Sequence, residues 1–291
     1  MPTPSRALQE IVEYRGVEGL VAAKVLTDDD DNGYTTGPVF AIAGVAEISK
    51  TTDSSNEAHY YDNIPAVVIA STSADTVTIS ASAIPLDVLA EITGQNYDDE
   101  LAAFIEGERD FNYFAIGYKT KKTNGDEVYV WRYKGTFNVP DQTNSTENNS
   151  TDANGQQIVY TGISTTHKFS KTNKGAKAIN VDIRKGNADV SEFFDEVTTP
   201  DTLTTKPSYT LTLTPASGTT LTVLKNGAAV TNGATIYEDD ELVVSASATA
   251  PNSANIYIND PTMAGTPFTN GGTYVVTGDT TIKTSLVTSG T

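Results

Sequence analysis

Apolar and polar positions alternate with a period of two through much of this chain, and the pattern predicts strands far more often than helices. The clearest stretch is Phe111–Lys122, which crosses Thr123-Asn124-Gly125-Asp126 and returns as Glu127–Val139. Asn124-Gly125 predicts a type I′ turn with two φ > 0 positions, and therefore a hairpin. On the outgoing arm Tyr129, Trp131, Tyr133 and Phe137 share one face, with Val128, Val130, Arg132 and Lys134 on the other. Further strands are expected at Gly19–Thr27, Pro38–Ser49, Ala66–Ser73, Thr76–Ser82 and Ile158–Phe169. One helix is expected at Pro85–Thr93, with Pro85 at its first position, Gly94 at its exit and Val88, Leu89 and Ile92 on the face toward a sheet.

Two polar segments interrupt this pattern. Asp141–Gln157 has Ala153 as its sole apolar residue and cannot bury itself, so it is expected to be mobile in an isolated subunit. Thr51–Asp62 reads as a loop carrying His59, Tyr60 and Tyr61. In a monomer these are surface residues; in an assembly, tyrosines on a loop are good contact residues, and that reading is preferred. Residues 170–208 are transitional and end in the Thr/Pro-rich Thr198–Pro207. Beyond them, strands are expected at Tyr209–Leu213, Leu242–Ala248, Asn255–Asn259, Thr273–Val276 and Thr281–Val287, punctuated by turns such as Asn226-Gly227. The fold class is therefore mainly β with one short flanking helix, and a small all-β domain follows. The expected divisions are 1–197, a linker at 198–207, and 208–291.

The 291 residues carry a formal charge of −18, all but −3 of it before residue 203. This favours solubility, and it also disfavours binding of DNA or anionic lipid through counterion release. There is no cysteine, hence no disulfide and no thiolate metal site. No apolar run approaches a membrane span, and the N-terminus lacks the pattern of a signal peptide, so no membrane partner is expected and folding is expected in a cytoplasm.

Catalytic signatures are missing. His59 and His167 stand far apart and outside any metal-type spacing, and there is no GxSxG elbow or phosphate-binding glycine loop. No enzymatic activity and no cofactor are expected. Asp28-Asp29-Asp30-Asp31-Asn32-Gly33 starts like a calcium loop, but its twelfth position is Val39 where a bidentate Glu is required; a solvated acidic turn is preferred. The Asn-x-Ser/Thr matches in the 141–157 tract, those at Asn144 and Asn149 among them, follow from its composition, and Glu238–Glu241 reads as a charged turn. The one basic stretch, Lys168, Lys171, Lys174, Lys177, Arg184 and Lys185, is either a solvated segment or a clasp for an acidic neighbouring subunit.

From about Gly16 to Phe169 the chain resembles the major tail proteins of long-tailed bacteriophages of Gram-positive bacteria. The resemblance lies in the order of several blocks: Gly37-Pro38-Val39, Thr52-Asp53-Ser54, Ile84–Gly94, and the hairpin Phe114–Val139 with WRYKGTF. It implies a tail-tube β-sandwich or barrel flanked by a helix. Six subunits would close into a ring, and rings would stack into a tube that conducts DNA to the host. The implied partners are further copies, other tail proteins and transiently passing DNA. The implied location is the virion, after synthesis in the host bacterial cytoplasm. His59, Tyr60, Tyr61, Trp131, Tyr133, Lys171, Lys174 and Lys177 are then the expected subunit contacts. With the aromatic face as core, Arg132 and Lys134 are expected near a lumen or a subunit contact. Residues 208–291 resemble internalin-type B-repeats and immunoglobulin-like modules, through Tyr209–Thr214, Gly233–Val244 and Gly271–Val287. Such modules imply either decoration or weak, multivalent adhesion to host surface polymers. The alternative reading of the whole chain is a cell-surface adhesion protein of two β modules that binds bacterial surface glycans.

Overall fold

The computed structural model describes residues 12–61, 64–141, 155–184 and 186–289. The chain divides into two compact units, with the division at Thr204/Thr205.

The first unit is built on β1 (Tyr14–Asp29), β2 (Gly33–Thr36), β3 (Phe40–Ala41), β4 (Val45–Tyr61) and β5 (Ile64–Ala81). These are followed by α1 (Leu86–Thr93), the small β6 (Asn96–Asp98) and β7 (Ala103–Ile105), then β8 (Phe114–Lys122), β9 (Glu127–Phe137), β10 (Gln156–Ile163) and β11 (Ala178–Asp182). The main path across the sheet is β2-β1-β8-β9-β10-β5-β4, with β3 also on β1 and β11 also on β9. Every strand of that path from β1 to β4 contributes to one core: Leu20 and Ala22, Ile116 and Tyr118, Val128 and Val130, Ile158 and Tyr160, Val77 and Ile79, with Ile48 packed against it. The sheet is therefore curled around that core. Curling is permitted by two irregularities in β1, where the register shifts between Tyr14 and Val17 and between Glu18 and Val21. Gly16 (φ 94°) and Gly19 (φ 70°) lie at those shifts, in a conformation that L side chains resist.

α1 closes one side of this core. Leu89 and Ile92 are buried, and Val88 packs beside them, as the periodicity predicts. Pro85 is the N-cap rather than the first helical residue, and Gly94 ends the helix in the left-handed region. A Cβ at Gly94 would fall 1.8 Å from the Asp110 carbonyl oxygen.

β9 is buried on both faces, and this accounts for its mixed composition. Val128 and Val130 face the curled core, whereas Trp131 and Tyr133 enter a second cluster with Ala23, Ala115, Phe169 and Phe193. The Trp131 indole N–H donates to the Phe193 carbonyl at 2.8 Å. The C-terminal part of the unit thus covers the outer face of β1, β8 and the first half of β9. This cover includes the start of the Thr/Pro-rich segment: Thr199 is buried, Leu203 packs on the aromatic cluster, and Asp201 accepts from the Ser170 and Lys171 N–H groups.

Several expectations are corrected. The β8–β9 turn is not type I′. Gly125 has φ 90° but Asn124 is not in the left-handed region; Gly125 N–H donates to Lys122 O, and Lys122 N–H to Asp126 O. This is a tight turn followed by a left-handed glycine. The two-residue alternative is blocked because the Thr123 N–H is engaged by the Glu13 carbonyl, which prolongs the β1–β8 pairing. Phe137 does not share the face of Trp131. A bulge between the pairs Phe114↔Gly135 and Ile116↔Arg132 inverts the alternation and sends Phe137 into the curled core. Thr51–Tyr61 is strand, not loop, because it pairs with β5 along almost its whole length. The strand expected at Pro38–Ser49 breaks between β3 and β4, Phe111 precedes β8 and is exposed, and the strand expected at Ile158–Phe169 ends at Ile163. Residues 142–154 of the polar tract lie outside the described residues.

The second unit holds two four-stranded sheets. One is β15-β12-β19-β17 and the other β14-β13-β16-β18. Their strands are β12 (Ser208–Thr214), β13 (Thr219–Lys225), β14 (Ala228–Ala229), β15 (Thr235–Tyr237), β16 (Glu241–Ala248), β17 (Ser253–Ile258), β18 (Gly272–Val275) and β19 (Thr280–Val287). Leu211, Ile236, Ile256 and Ile282 from one sheet meet Val223, Leu242 and Val244 from the other in a single core. β12 and β19 run parallel and the remaining pairs are antiparallel. The two-residue turn absent from the β8–β9 hairpin occurs here: Asn226 (φ 51°) and Gly227 (φ 77°) link the paired Lys225 and Ala228.

Gly135 tests the packing of the first unit. A Cβ there would lie 2.3 Å from the Tyr160 ring and 2.5 Å from the Thr161 carbonyl oxygen, whereas one at Gly107 would meet nothing within 4 Å. Gly135→Ala is expected to destabilise the unit by about 1–3 kcal/mol, and Gly107→Ala to stay within about 0.5 kcal/mol of the parent. Urea unfolding followed by emission of the single tryptophan, Trp131, measures both; equal midpoints would contradict this account of the packing.

Candidate assembly surface

The curled sheet of the first unit does not close. β4 ends the path and pairs only through β5, which leaves its other margin without a strand partner among the described residues. Beyond Asp75, β5 has left β10 and pairs only with β4, so the outer half of this hairpin runs on as a two-stranded ribbon. At the other end of the path, β1 holds β3 at Val21 and Ala22 and β2 from Val25. Among the described residues, the outer side of Tyr14–Gly19 carries no strand. The two ends approach each other where Ile42 N–H donates to Leu20 O at 3.1 Å. Further along they part around a cleft between Tyr14–Val17 and Ala46–Lys50, with Tyr118, Val130 and Arg132 on its floor.

A charged cluster fixes the root of the ribbon. Asp75 is buried and accepts from Arg132 Nη1 at 2.9 Å, from the Thr52 hydroxyl at 2.9 Å and from Lys177 Nζ at 3.1 Å. Lys177 also donates to the Ser73 carbonyl, and Arg132 Nε to the Tyr118 hydroxyl. The β4–β5 register shifts immediately beyond this cluster, between Thr52 and Ser54. Burial pushes the Asp75 carboxyl up, but the Thr52 and Lys177 bonds outweigh it and hold its pKa below the ordinary value.

The acidic turn is likewise structural. Burial of Asp28 is outweighed by the Lys134 ammonium and the Thr166 and His167 N–H groups, so this carboxyl also titrates low. Asp29 accepts from the Asp31 and Asn32 N–H groups, and Asp30 pairs with Lys168 at 2.9 Å. Asp28 is thus internal rather than solvated. Among the described residues no group of three or more His, Asp or Glu is placed to hold a metal ion, and no helix is long and apolar enough to cross a membrane.

The residues expected at subunit contacts fall into three sets. Trp131 and Tyr133 are fully buried in the second cluster, so their side chains face no neighbour. Arg132 and Lys134 do not face a lumen; they are spent on Asp75 and Asp28 inside the unit. Much of the basic stretch is also satisfied internally: Lys168 on Asp30, Lys171 on the Leu203 carbonyl, Lys177 on Asp75 and Arg184 on Asp126, while Lys174 is exposed. His59, Tyr60 and Tyr61 sit in the ribbon, where their backbones oppose Val67, Pro65 and Ile64.

What periodicity along one strand could not reveal is a second exposed face. Across β9, β10, β5 and β4 the register aligns Thr136, Thr161, Thr76 and Thr51 in one row. The next row is Val159, Thr78 and Ser49, and the third is Gln157, Ser80 and Glu47. Seven of these ten residues are Ser or Thr, one is charged, and none is buried. On the opposite face of the same strands Val77, Ile79, Ile158 and Tyr160 are completely buried. The alternation Thr76-Val77-Thr78-Ile79-Ser80 signals one such face, but only the pairing assembles the array.

No protein-family model matches the chain, and no curated protein matches it.

The Asp75 cluster gives a pH test. Its folded pKa is depressed below an unfolded value of about 3.9, so the stability it contributes is present above that value and lost as pH falls through the folded pKa. Asp75→Asn is expected to cost about 3–5 kcal/mol at neutral pH, because Arg132 is left buried without its partner charge. Its unfolding midpoint should then fall less steeply than that of the parent below pH ~4. Parallel acid profiles would remove Asp75 as a source of that dependence.

Proposed function

We propose that this chain is a structural subunit that polymerises through its open sheet margins into a tube, and that the tube is a phage tail conduit for DNA. The observation that carries the reading is the unclosed sheet of the first unit. A 17-residue edge strand with one margin unpaired, as β4 has among the described residues, is a liability in a solitary protein. Natural proteins blunt such margins with charges, prolines or a covering element. β4 has Glu47, Lys50, Asp53 and Glu57 spread over its length, a single cation among them, and no Pro. Repeated head-to-tail pairing of one margin on another satisfies the backbone of every copy and yields a closed ring of cyclic symmetry. The resemblance of residues 16–169 to tail-tube proteins sets the ring at six copies and supplies the stacking of rings.

On this reading the first unit is a tail-tube barrel whose seam is completed by neighbours. The second is an immunoglobulin-like or B-repeat-like module appended in sequence to the tube-forming unit. Its sheets already share a filled core, so it has no evident need of a neighbour for its own stability. The negative charge concentrated before residue 203 discourages nonspecific retention of DNA.

Concentrated protein is expected to form rings or tubes with a central hole in negative-stain electron micrographs. A species that sediments as a monomer at every concentration would end the proposal. Hydrogen exchange locates the joint: amides of Val45–Tyr61 and Tyr14–Gly19 on the open margins should exchange in the subunit and gain protection on assembly. Unchanged exchange at both margins in intact tubes would place the joint elsewhere.

A further inference from the structure

Resting on the tube reading, we infer that the exposed hydroxyl array on β9, β10, β5 and β4 is the wall of the bore, and that DNA passes a neutral, hydrated surface rather than an acidic one. The curled sheet has one outer face, and it is treated in two ways. Over β1, β8 and the first half of β9 it is covered by the aromatic cluster around Trp131 and Phe193. Over the second half of β9, β10, β5 and β4 no residue of the array is buried among the described residues. The uncovered half belongs to the strands that end in the free margin of β4, so ring closure through that margin continues this face from copy to copy.

Its chemistry suits a surface that a polyanion must pass without being held. Thr51, Thr76, Thr78 and Ser49 offer hydroxyls that water satisfies and that carry no charge to anchor phosphate. Retention on DNA grows with each cation that displaces counterions, and the array contains none. Lys50, between Ser49 and Thr51 on β4, opposes the core residue Val77 and so belongs to the other face of the strand, while Lys134 opposite Ile163 is neutralised by Asp28 and largely buried. Glu47 is the one carboxylate. The occupant of this face is therefore a hydrated nucleic acid in transit; an apolar or cationic partner would find little to hold.

The cysteine-free chain allows a direct test. Thr78→Cys, Ser49→Cys and, as an outside control, the exposed Leu101→Cys are each assembled and treated with a small maleimide or with one carrying a bulky polyethylene glycol. In tubes, Cys at 78 and 49 should react with the small reagent and be shielded from the bulky one; Cys at 101 should react with both. Using two array positions guards against one variant that fails to fold. Reaction of both array positions with the bulky reagent would put the face outside. Reaction with neither would seal it in an interface. Either result overturns the inference while leaving the tube reading intact, whereas absence of tubes from the parent protein sinks both. For the chemistry, Ser49→Lys/Thr78→Lys tubes should retain short duplex DNA in low salt and release it as salt rises, each new phosphate contact adding about 0.9 to the slope of log affinity against log salt. Parent tubes should not retain it; equal retention by parent tubes would overturn the neutral wall.

Discussion

Backbone N–H and C=O groups along a sheet margin need partners, and among the described residues the first unit leaves part of its margin without a strand partner. Its strands curl far enough that the two ends meet at Leu20 and Ile42. They then diverge: β1 is interrupted by its glycine bulges, and β4 runs on into a ribbon with β5. Lengthening the seam would require a regular β1 opposite a short β4, and this sequence specifies neither. The geometry that leaves these margins open among the described residues is thus built by the same residues that let the core close.

The two-sided burial of β9 holds this arrangement in place. A strand with one wet face can slip by two residues at modest cost; one with aromatic anchors on one side and valines on the other cannot. Arg132 adds a third constraint, since the buried carboxylate it pairs with lies on β5. A buried ion pair adds little net stability against an apolar alternative, but a misregistered one is heavily penalised. Asp75, Arg132 and Lys177 therefore act chiefly on specificity: they set where β5 leaves the sheet and the ribbon begins.

The local order was legible in the sequence and the long-range pairing was not. α1 declared itself by Leu89, Ile92 and Gly94, and the strands of the second unit by strict alternation such as Tyr209–Leu213. The bulge that turns Phe137 inward leaves no mark in composition. Arg132 and Lys134 looked solvent-facing because their partners are 57 and 106 residues away. Thr51–Tyr61 looked like a loop because its residues are polar; it is a strand because β5 supplies a long partner. Polar strands with a free margin resemble loops until the partner is known. The hydroxyl array failed to register for the same reason, since its members come from four strands and only their register brings them into rows.

Charge in the proposed conduit acts at two ranges, and the proposed arrangement separates them. The net negative charge of the first unit sets the field felt beyond the surface, but at physiological salt that field decays within about 8 Å. Contact is governed by what the wall itself presents. A wall dense in carboxylates would gather cations, which in turn bridge to phosphate. A wall of threonine and serine holds water and leaves the counterions with the nucleic acid. Excess acid elsewhere on the subunit serves solubility and repels misplaced partners, and it need not line the path. The acidic composition and the neutral array are therefore compatible: one sets the approach, the other the friction.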